Sequence, residues 1–195
     1  MRIVQKTYQT WSDEELMDAL SKGNHSAFTE LYERYSKPLF HYFLRLLWRN
    51  QTLAEDLVHD LFAKIIKKPE LFDVNRSFRT WIYVVATNMC KNEYRKKEVR
   101  QNVSTGLDHH YTLYDKNENV LNQVQDRQFK EAFLIGLNDL DLKHREVFTL
   151  RHMDGLSMKE IADVLNISEG TVKSRLFYAT KYLAAGLKAF SPEVK

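Results

Sequence analysis

The sequence predicts an all-α fold made of two small helical domains. Apolar residues recur at intervals of three and four over most of the 195 residues, which is the spacing of amphipathic helices. Neither a sustained apolar–polar alternation nor an Asn-Gly hairpin turn indicates a β-strand. Helical spacing lapses over residues 99–128, where polar residues dominate. This predicts a flexible linker between a domain at 1–98 and a domain at 129–195.

The N-terminal domain is predicted to contain four helices. Apolar spacing places them near residues 12–20, 28–47, 53–68 and 78–97. Ser12 followed by Glu15 predicts a capping box at the start of the first helix. Pro38 lies within the second helix, and because proline lacks a backbone N–H we expect a break or kink near residues 36–37. Pro69 is expected to end the third helix.

The strongest local pattern lies at residues 156–183. Gly155 ends one helix, and Ser157 with Glu160 predicts a capping box that opens the next. Residues 166–168 form a short turn in which Ser168 caps a second helix. That helix has basic residues on its outer face, so the pattern predicts a helix-turn-helix whose second helix fits the major groove of DNA. A helix-packing module without DNA binding is the alternative.

The charge distribution is more informative than the net charge of +3, which does not by itself indicate a nucleic-acid-binding protein. Basic residues concentrate in two stretches, 88–100 and 171–188, and the second stretch has no acidic residue. Two phosphate-facing surfaces would account for this distribution. On charge alone, two solvated helix faces are the simpler explanation.

The composition excludes several classes of protein. A single cysteine, Cys90, cannot form an internal disulfide, and no apolar run approaches the ~20 residues that span a bilayer. The N-terminus lacks the apolar segment of a secretory signal, so we expect a soluble cytoplasmic protein. His109 and His110 have no further ligands at metal-binding spacing, and no phosphate loop, zinc motif or nucleophile motif occurs. We therefore expect no metal, no cofactor and no enzymatic activity.

Residues 160–176, with the sequence EIADVLNISEGTVKSRL, resemble the region-four helix-turn-helix of bacterial sigma factors. Response regulators share parts of this motif, so the segments before it are needed to distinguish a sigma factor from a response regulator. Residues 54–62 resemble the region-two helix that docks on the polymerase clamp, and residues 78–97 contain segments that resemble the helix opening the minus-ten element. These motifs cover about residues 25–97 and 130–188. Together they resemble an extracytoplasmic-function (ECF) sigma factor of the sigma-70 family.

The resemblance implies a set of residues for each partner. RNA polymerase core, at the clamp of its largest subunit, would meet Asp56, His59, Asp60 and Lys64. Promoter DNA at the minus-ten element, duplex and melted, would meet Asn75, Arg76, Arg79, Asn88, Asn92, Arg95 and Lys96. Duplex at the minus-thirty-five element would meet Arg151, Thr171, Lys173, Ser174, Arg175, Phe177, Tyr178 and Lys181. The resemblance also implies an anti-sigma factor that masks the polymerase-binding surface.

The residue types agree in part with these implied roles. An acidic exposed face suits a basic protein surface, because it would repel DNA phosphates. The loop 73–77 corresponds to the family segment that captures an extruded base, and the amide of Asn75 can both donate to and accept from a base edge. The sequence departs from the common family pattern at His59, Asn92 and Tyr178, where glutamine, aspartate and arginine are usual. Trp81 fits a core position by its helical spacing, with base stacking as the alternative.

Two other functions stay open from the sequence. An operator-binding helix-turn-helix regulator would share the C-terminal motif, although such regulators usually read two half-sites as dimers and no dimerisation segment is visible. A protein-interaction module would leave the basic second helix without a role. The sequence therefore predicts an alternative sigma factor that directs RNA polymerase to specific promoters.

Overall fold

The computed structural model describes residues 8–103 and 122–188, and every regular element within these two ranges is helical. The chain forms two compact units, Met1–Thr105 and Gly106–Lys195. The all-α prediction is confirmed. Residues 104–121, which include most of the predicted linker with His109 and His110, lie outside the described ranges.

The described part of the N-terminal unit contains four α-helices and two short 3-10 turns. The helices are α1 (Asp13–Ser21), α2 (His25–Leu46), α3 (Gln51–Lys67) and α4 (Phe78–Val103), and the 3-10 turns span Tyr8–Thr10 and Pro69–Leu71. The capping box of α1 is confirmed, because Ser12 Oγ accepts from Glu15 N at 3.1 Å and Glu15 Oε2 accepts from Ser12 N at 2.7 Å. These reciprocal bonds satisfy two backbone donors that the helix start would leave unpaired.

Of the break or kink predicted near residues 36–37, the break is wrong, since α2 continues through Pro38 as one helix of 22 residues. Pro38 is exposed to solvent, whereas Leu31, Leu39 and Phe43 are fully buried in one core. A proline inside a helix costs about 3 kcal/mol. Burying each large apolar side chain contributes about 1.5–3 kcal/mol. Packing on both sides of Pro38 therefore offsets the hydrogen bond that it removes.

Helix α4 is longer than predicted and ends at Val103 rather than near residue 97. Residues 98–103 contain neither glycine nor proline, and exposed Glu98 and Arg100 are good helix formers. Apolar spacing identifies helix faces that pack, so it does not detect a turn formed by exposed residues such as Glu98, Val99 and Arg100. Helix α5 begins at Asn122, within the predicted linker.

Buried polar and aromatic contacts hold α4 against α2. Tyr42 Oη and Thr87 Oγ1 form a buried hydrogen bond of 2.8 Å, and Tyr94 Oη donates to the carbonyl of Leu46 at 2.6 Å. Phe72 and Phe78 are buried just before and just after residues 73–77, and their ring centroids lie 5.3 Å apart. Both ends of this exposed loop are therefore fixed to the core.

The described part of the C-terminal unit contains α5 (Asn122–Asp139), α6 (Leu142–Phe148), a π-helical turn (Thr149–Met153), α7 (Met158–Leu165) and α8 (Glu169–Gly186). A buried core joins α5, α6 and α8; it consists of Leu137, Leu140, Phe148, Ala179 and Leu183, with Phe133 and Leu176 packed against it. The buried guanidinium of Arg145 donates to the carbonyls of Asn138 and Leu140, the latter at 2.7 Å. Arg145 thereby fixes α6 to the end of α5.

The helix-turn-helix prediction is confirmed in its local detail. Ser157 and Glu160 form the capping box of α7, and Asn166 ends that helix in the left-handed conformation at φ 54°. Ser168 Oγ accepts from Thr171 N at 3.1 Å and so caps α8. Helices α7 and α8 pack against each other, and Ile161 on α7 and Val172 on α8 are fully buried. The opposite face of α8 lies in solvent.

Candidate polymerase and nucleic-acid interfaces

The implied polymerase-binding residues share one exposed face of α3. Asp56, His59, Asp60 and Lys64 are all exposed, while Leu57, Leu61 and Ile65 on the opposite face are buried. The helix begins at a defined residue, because Asn50 Oδ1 accepts from Leu53 N at 3.0 Å. The face thus presents two carboxylates with one imidazole and one ammonium group on a rigid element.

A groove between α3 and α4 brings together residues that the sequence assigned to different partners. Its volume is about 380 Å³, and it is lined by Leu57, Asp60, Lys64, Met89, Asn92, Glu93, Arg95 and Lys96. Asp60 and Lys64 belong to the implied polymerase set, whereas Asn92, Arg95 and Lys96 belong to the implied minus-ten set. The two sets therefore form adjoining parts of one surface.

Sequence reasoning did not identify Glu93 as part of this surface. Its carboxylate accepts from Lys96 Nζ at 2.6 Å, and only 14% of its side chain is exposed. Arg95 Nη1 also donates to Asn92 Oδ1 at 3.4 Å. The spacing of three residues between Glu93 and Lys96 on a helix is the signal that could have revealed the pair.

The loop 73–77 has an internal hydrogen-bonded structure. Asp73 Oδ1 accepts from both the backbone N and the Nδ2 of Asn75, each at 3.0 Å, and Arg76 Nε lies 3.6 Å from Asp73 Oδ2. The hydrogen bond from the Asn75 backbone, then the bond from its side chain, lower the pKa of the Asp73 carboxyl. Asp73 is a second residue that the sequence assignment missed, although an aspartate in a loop commonly forms an Asx turn by accepting from the backbone N–H two residues on.

The first turns of α4 combine a packed face with an exposed polar face. Trp81 is half-buried, and its ring centroid lies 5.3 Å from that of Phe72 and 5.7 Å from that of Phe78. This agrees with the core interpretation of Trp81. Arg79 is half-buried near Tyr35, whereas Asn88 is exposed on the outer face.

The outer face of α8 is basic and aromatic. Lys173, Ser174, Phe177, Tyr178 and Lys181 are exposed, and Thr171 and Arg175 are half-buried. Two of these polar side chains are also used within the helix. Thr171 pairs with Ser168 at the cap, with 2.9 Å between their hydroxyl oxygens, and Ser174 Oγ donates to the carbonyl of Thr171 at 3.0 Å. The aromatic side chains are markedly exposed, at 63% for Phe177 and 60% for Tyr178.

One histidine, His144, lies beside this face. The ring of His144, on α6, meets that of Tyr178 edge to face at a centroid distance of 6.2 Å. His144 Nδ1 lies 2.8 Å from Asp141 Oδ1, and Asp141 also caps α6 by accepting from His144 N at 3.2 Å. No sequence motif pointed to His144, because its contact with Tyr178 joins two helices.

Arg151 lies in the π-helical turn and is exposed, as a DNA-contacting residue would be. Its Nη1 donates to the carbonyl of Leu156 at 2.9 Å. The side chain is therefore held against the segment that leads into α7. Among the described residues no group of three or more His, Cys, Asp or Glu side chains could hold a metal ion.

Two family models match the chain. Sigma-70 region 2 matches residues 31–100, and Sigma-70 region 4 matches residues 136–183. The first range contains α3, the loop that follows it and α4 as far as residue 100, and the second contains the helix-turn-helix. No helix within residues 8–103 and 122–188 has the length and apolar character needed to cross a membrane.

The chain is also similar to named proteins over most of its length. It is 34% identical over 159 residues to the ECF RNA polymerase sigma factor SigL of Mycobacterium tuberculosis, covering 81% of this chain and 87% of SigL. It is 29% identical over 175 residues to the ECF RNA polymerase sigma factor SigW of Bacillus subtilis, covering 87% of this chain and 93% of SigW.

Solved structures show the same fold. The structure of CnrH in complex with the cytosolic domain of CnrY matches with a TM-score of 0.68 at 26% identity, over 92% of this chain and 99% of the matched chain. The sigma factor RpoE of Bartonella quintana, solved with the anti-sigma factor NepR, matches with a TM-score of 0.70 at 23% identity, over 83% and 96% of the two chains. The two family models in this order, together with the similarity to SigL, show that the chain belongs to the ECF sigma factors of the sigma-70 family, which direct transcription initiation.

Proposed function

We propose that this sigma factor binds the RNA polymerase core through the exposed face of α3, the minus-ten element through α4 and loop 73–77, and the minus-thirty-five element through α8. The observation that best supports this division is the groove between α3 and α4, where Asp60 and Lys64 adjoin Asn92, Arg95 and Lys96. Polymerase catalyses RNA synthesis, and this chain positions it. The site of action is the cytoplasm, where the polymerase works. The domain at 1–98 carries the polymerase and minus-ten contacts, and the domain at 129–195 carries the minus-thirty-five contact.

The polymerase contact is supported by the charges on α3. Asp56 and Asp60 are exposed on this face. A DNA contact would need several basic residues, and among the four residues of the face only Lys64 is a lysine or arginine. Carboxylates at this surface would repel phosphates and attract a basic protein surface. The clamp of the largest polymerase subunit is the partner that the family implies for this helix.

The minus-ten contact combines base recognition with phosphate binding. Extruding a base costs a few kcal/mol, which contacts to the flipped base must offset. Asn75 supplies an amide in a loop whose two ends are fixed to the core. Exposed positive charge comes from Arg76 in the same loop and from Arg95 and Lys96 on α4. Because the groove joins α3 and α4, docking on polymerase would hold this DNA-binding surface directly beside the enzyme.

The minus-thirty-five contact uses the exposed face of α8. A helix of this kind fits the major groove, where lysine and arginine reach phosphates or guanine edges and an aromatic ring can meet a thymine methyl group. Lys173 and Lys181 suit the first role, and Phe177 suits the second. Arg151 would contact the backbone beside the element from its position in the π-helical turn.

An anti-sigma factor completes the set of proposed partners. Masking the α3 face would prevent polymerase binding, since the same four side chains cannot contact two proteins at once. The polar, exposed nature of this face is compatible with reversible binding, because stable permanent interfaces are more apolar.

Transcription with purified components tests the proposed function. The assay contains polymerase core, this protein and a promoter library randomised at both elements. We expect transcripts that depend on this protein and derive from a subset of promoters with preferred bases at both elements. Failure to co-purify with polymerase, together with occupancy of intact duplex as a stable homodimer, would instead identify an operator-binding regulator.

A single substitution tests the contact of α8 with the minus-thirty-five element. Losing one phosphate contact reduces the slope of log affinity against log salt by about one. We expect Arg175→Ala to lower promoter use and flatten this slope, and Lys130→Ala, at an exposed position of α5, to change neither. An unchanged slope and unchanged transcription would place Arg175 away from DNA.

A further inference from the structure

The start of α4 is capped from a distant part of the chain. Glu14, on α1, accepts a hydrogen bond from Phe78 N at 2.9 Å through its Oε1, across 64 residues of sequence. Helix starts are usually capped by a neighbouring Ser, Thr, Asp or Asn. Ser77 does so here as well, since its Oγ accepts from Thr80 N at 3.2 Å. Helix α4 therefore has one local cap and one cap supplied by α1.

The first turn of α1, which carries Glu14, is held in place by contacts with α2. Asp13 accepts from Arg34 Nη1 at 2.7 Å and from the hydroxyl of Tyr35. Arg34 also donates to the backbone carbonyl of Trp11 at 2.9 Å. The first turn of α1 is thus fixed to α2, so Glu14 reaches Phe78 from a rigid support.

Phe78 is held both by its side chain and by its backbone N–H. Its side chain is fully buried, and its ring centroid lies 5.3 Å from that of Tyr35 and 5.3 Å from that of Phe72. Its backbone N–H is bound by Glu14. Between Phe72 and Phe78, by contrast, all five residues of loop 73–77 are exposed. The Glu14 contact therefore holds the backbone at the point where this exposed loop joins α4.

We propose that Glu14 is a positioning residue for minus-ten recognition, acting through Phe78 on the arrangement of loop 73–77. This inference rests on the proposed function of that loop. A loop held in its bound arrangement avoids the entropic cost of being ordered when DNA binds. Without the carboxylate, the backbone where the loop joins α4 would be held less firmly, and the loop's discrimination between bases would fall.

A purely stabilising cap would behave differently. It would lower the amount of folded protein and weaken transcription from every promoter alike. A positioning residue changes the relative use of promoters that differ at one minus-ten base. Base preference therefore separates the two roles.

The experiment uses holoenzyme formed from polymerase core and the full chain, with the promoter library randomised at both elements and transcripts counted by sequencing. A single base change typically alters affinity by about fivefold or more. Base preference is the ratio of transcript yields for the preferred base and for another base at one promoter position. With Glu14→Ala we expect this ratio to fall towards one at a minus-ten position, while the ratios at the minus-thirty-five element stay unchanged. Glu14→Gln keeps an accepting oxygen at the same reach and should retain most of the preference.

Two further variants control the result. Asp18→Ala removes a salt bridge with Lys22 at the other end of α1 and should leave all base preferences unchanged. Glu14→Asp keeps the charge but shortens the side chain by one methylene, so it should lose preference more than Glu14→Gln does. This comparison decides the question even if Glu14→Ala does not fold.

Equal base preferences in the wild type and all Glu14 variants would overturn the inference, whatever their overall activity. If the wild-type protein itself enriches no sequence at either element, the proposed function fails, and this inference with it. Enrichment by the wild type with unchanged preference in Glu14→Asp would leave the proposed function standing and refute the role of Glu14 alone.

Discussion

Asp73 holds Asn75 through a single oxygen atom, because its Oδ1 accepts both the backbone N–H and the side-chain Nδ2–H of Asn75 at 3.0 Å. The two bonds orient the amide that we propose for contact with a flipped base. They also favour the ionised form of Asp73, whose pKa lies below its ordinary value for that reason. The loop is therefore partly organised before any DNA is present.

Replacing Asp73 should weaken minus-ten recognition with little effect on the fold. All of residues 73–77 are exposed, so Asp73→Ala removes no buried contact. We expect transcription from duplex promoters to fall several-fold and thermal unfolding to change little. The measurement is run-off transcription beside a melting curve, with Glu70→Ala, another exposed acid in the preceding 3-10 turn, as the control. Equal activity of Asp73→Ala and wild type would show that the Asx turn does not present Asn75.

Local features of this fold could be predicted from the sequence because their causes are local. Ser12, Ser157 and Ser168 each cap the helix that follows, and all three bonds connect residues three apart. The buried faces of α3 and α7 likewise follow from helical spacing. Such features need no knowledge of which elements meet in three dimensions.

Features that depend on tertiary contacts could not be predicted. Pro38 indicates a helix break by its own chemistry, yet the core on both sides of it keeps α2 continuous. The bond between Glu14 and Phe78 joins residues 64 positions apart, and no pattern within α1 reveals it. The contact between His144 and Tyr178 likewise exists only because α6 packs against α8.

Reversing the charges on α3 should disrupt polymerase binding and leave the fold intact. Asp56 and Asp60 are exposed, and neither side chain lies in the core of the N-terminal unit. Like charges placed together at an interface cost several kcal/mol, so the double variant D56K/D60K should lower affinity for polymerase core by about tenfold or more. Affinity is measured by titration of labelled protein with core enzyme.

The matched control for this variant is Glu33→Lys, a charge reversal at an exposed position of α2. It changes the net charge of the same unit without altering α3. Affinity of D56K/D60K equal to that of Glu33→Lys would remove the α3 face from the polymerase interface. A loss that diminishes at high salt would support a contact made by charge, since exposed charges are screened over about 10 Å at 0.1 M salt.

Asp141 should make the stability of the α6 region depend on pH. Burial acts to raise its pKa, but the hydrogen bonds from His144 N and Lys143 and the nearby charges outweigh burial, so the pKa is lowered. A lowered pKa in the folded state stabilises the fold above the unfolded value of about 3.9. That stabilisation is lost as the pH falls through the folded value.

At neutral pH, Asp141→Ala should therefore cost about 1 kcal/mol, as expected for losing a helix N-cap. The difference from wild type should shrink below about pH 4, where protonation weakens the native cap as well. Hydrogen exchange of peptides from α6 at both pH values measures this directly in the full chain. Asp163→Ala, at an exposed position of α7, is the control; a pH-independent effect of Asp141→Ala would contradict the argument.

The ring of His144 should determine how Tyr178 contacts the minus-thirty-five element. Edge-to-face aromatic pairs contribute about 0.5–1.5 kcal/mol beyond their burial, and His144 is itself held by Asp141. In a double-mutant cycle of His144→Ala and Tyr178→Ala, the effects on promoter binding by holoenzyme should be non-additive by about that amount. The matched pair is His152→Ala with Tyr178→Ala, since the ring of His152 contacts Phe148 instead. Additive effects in the first cycle would mean that Tyr178 meets DNA, if at all, without the help of His144.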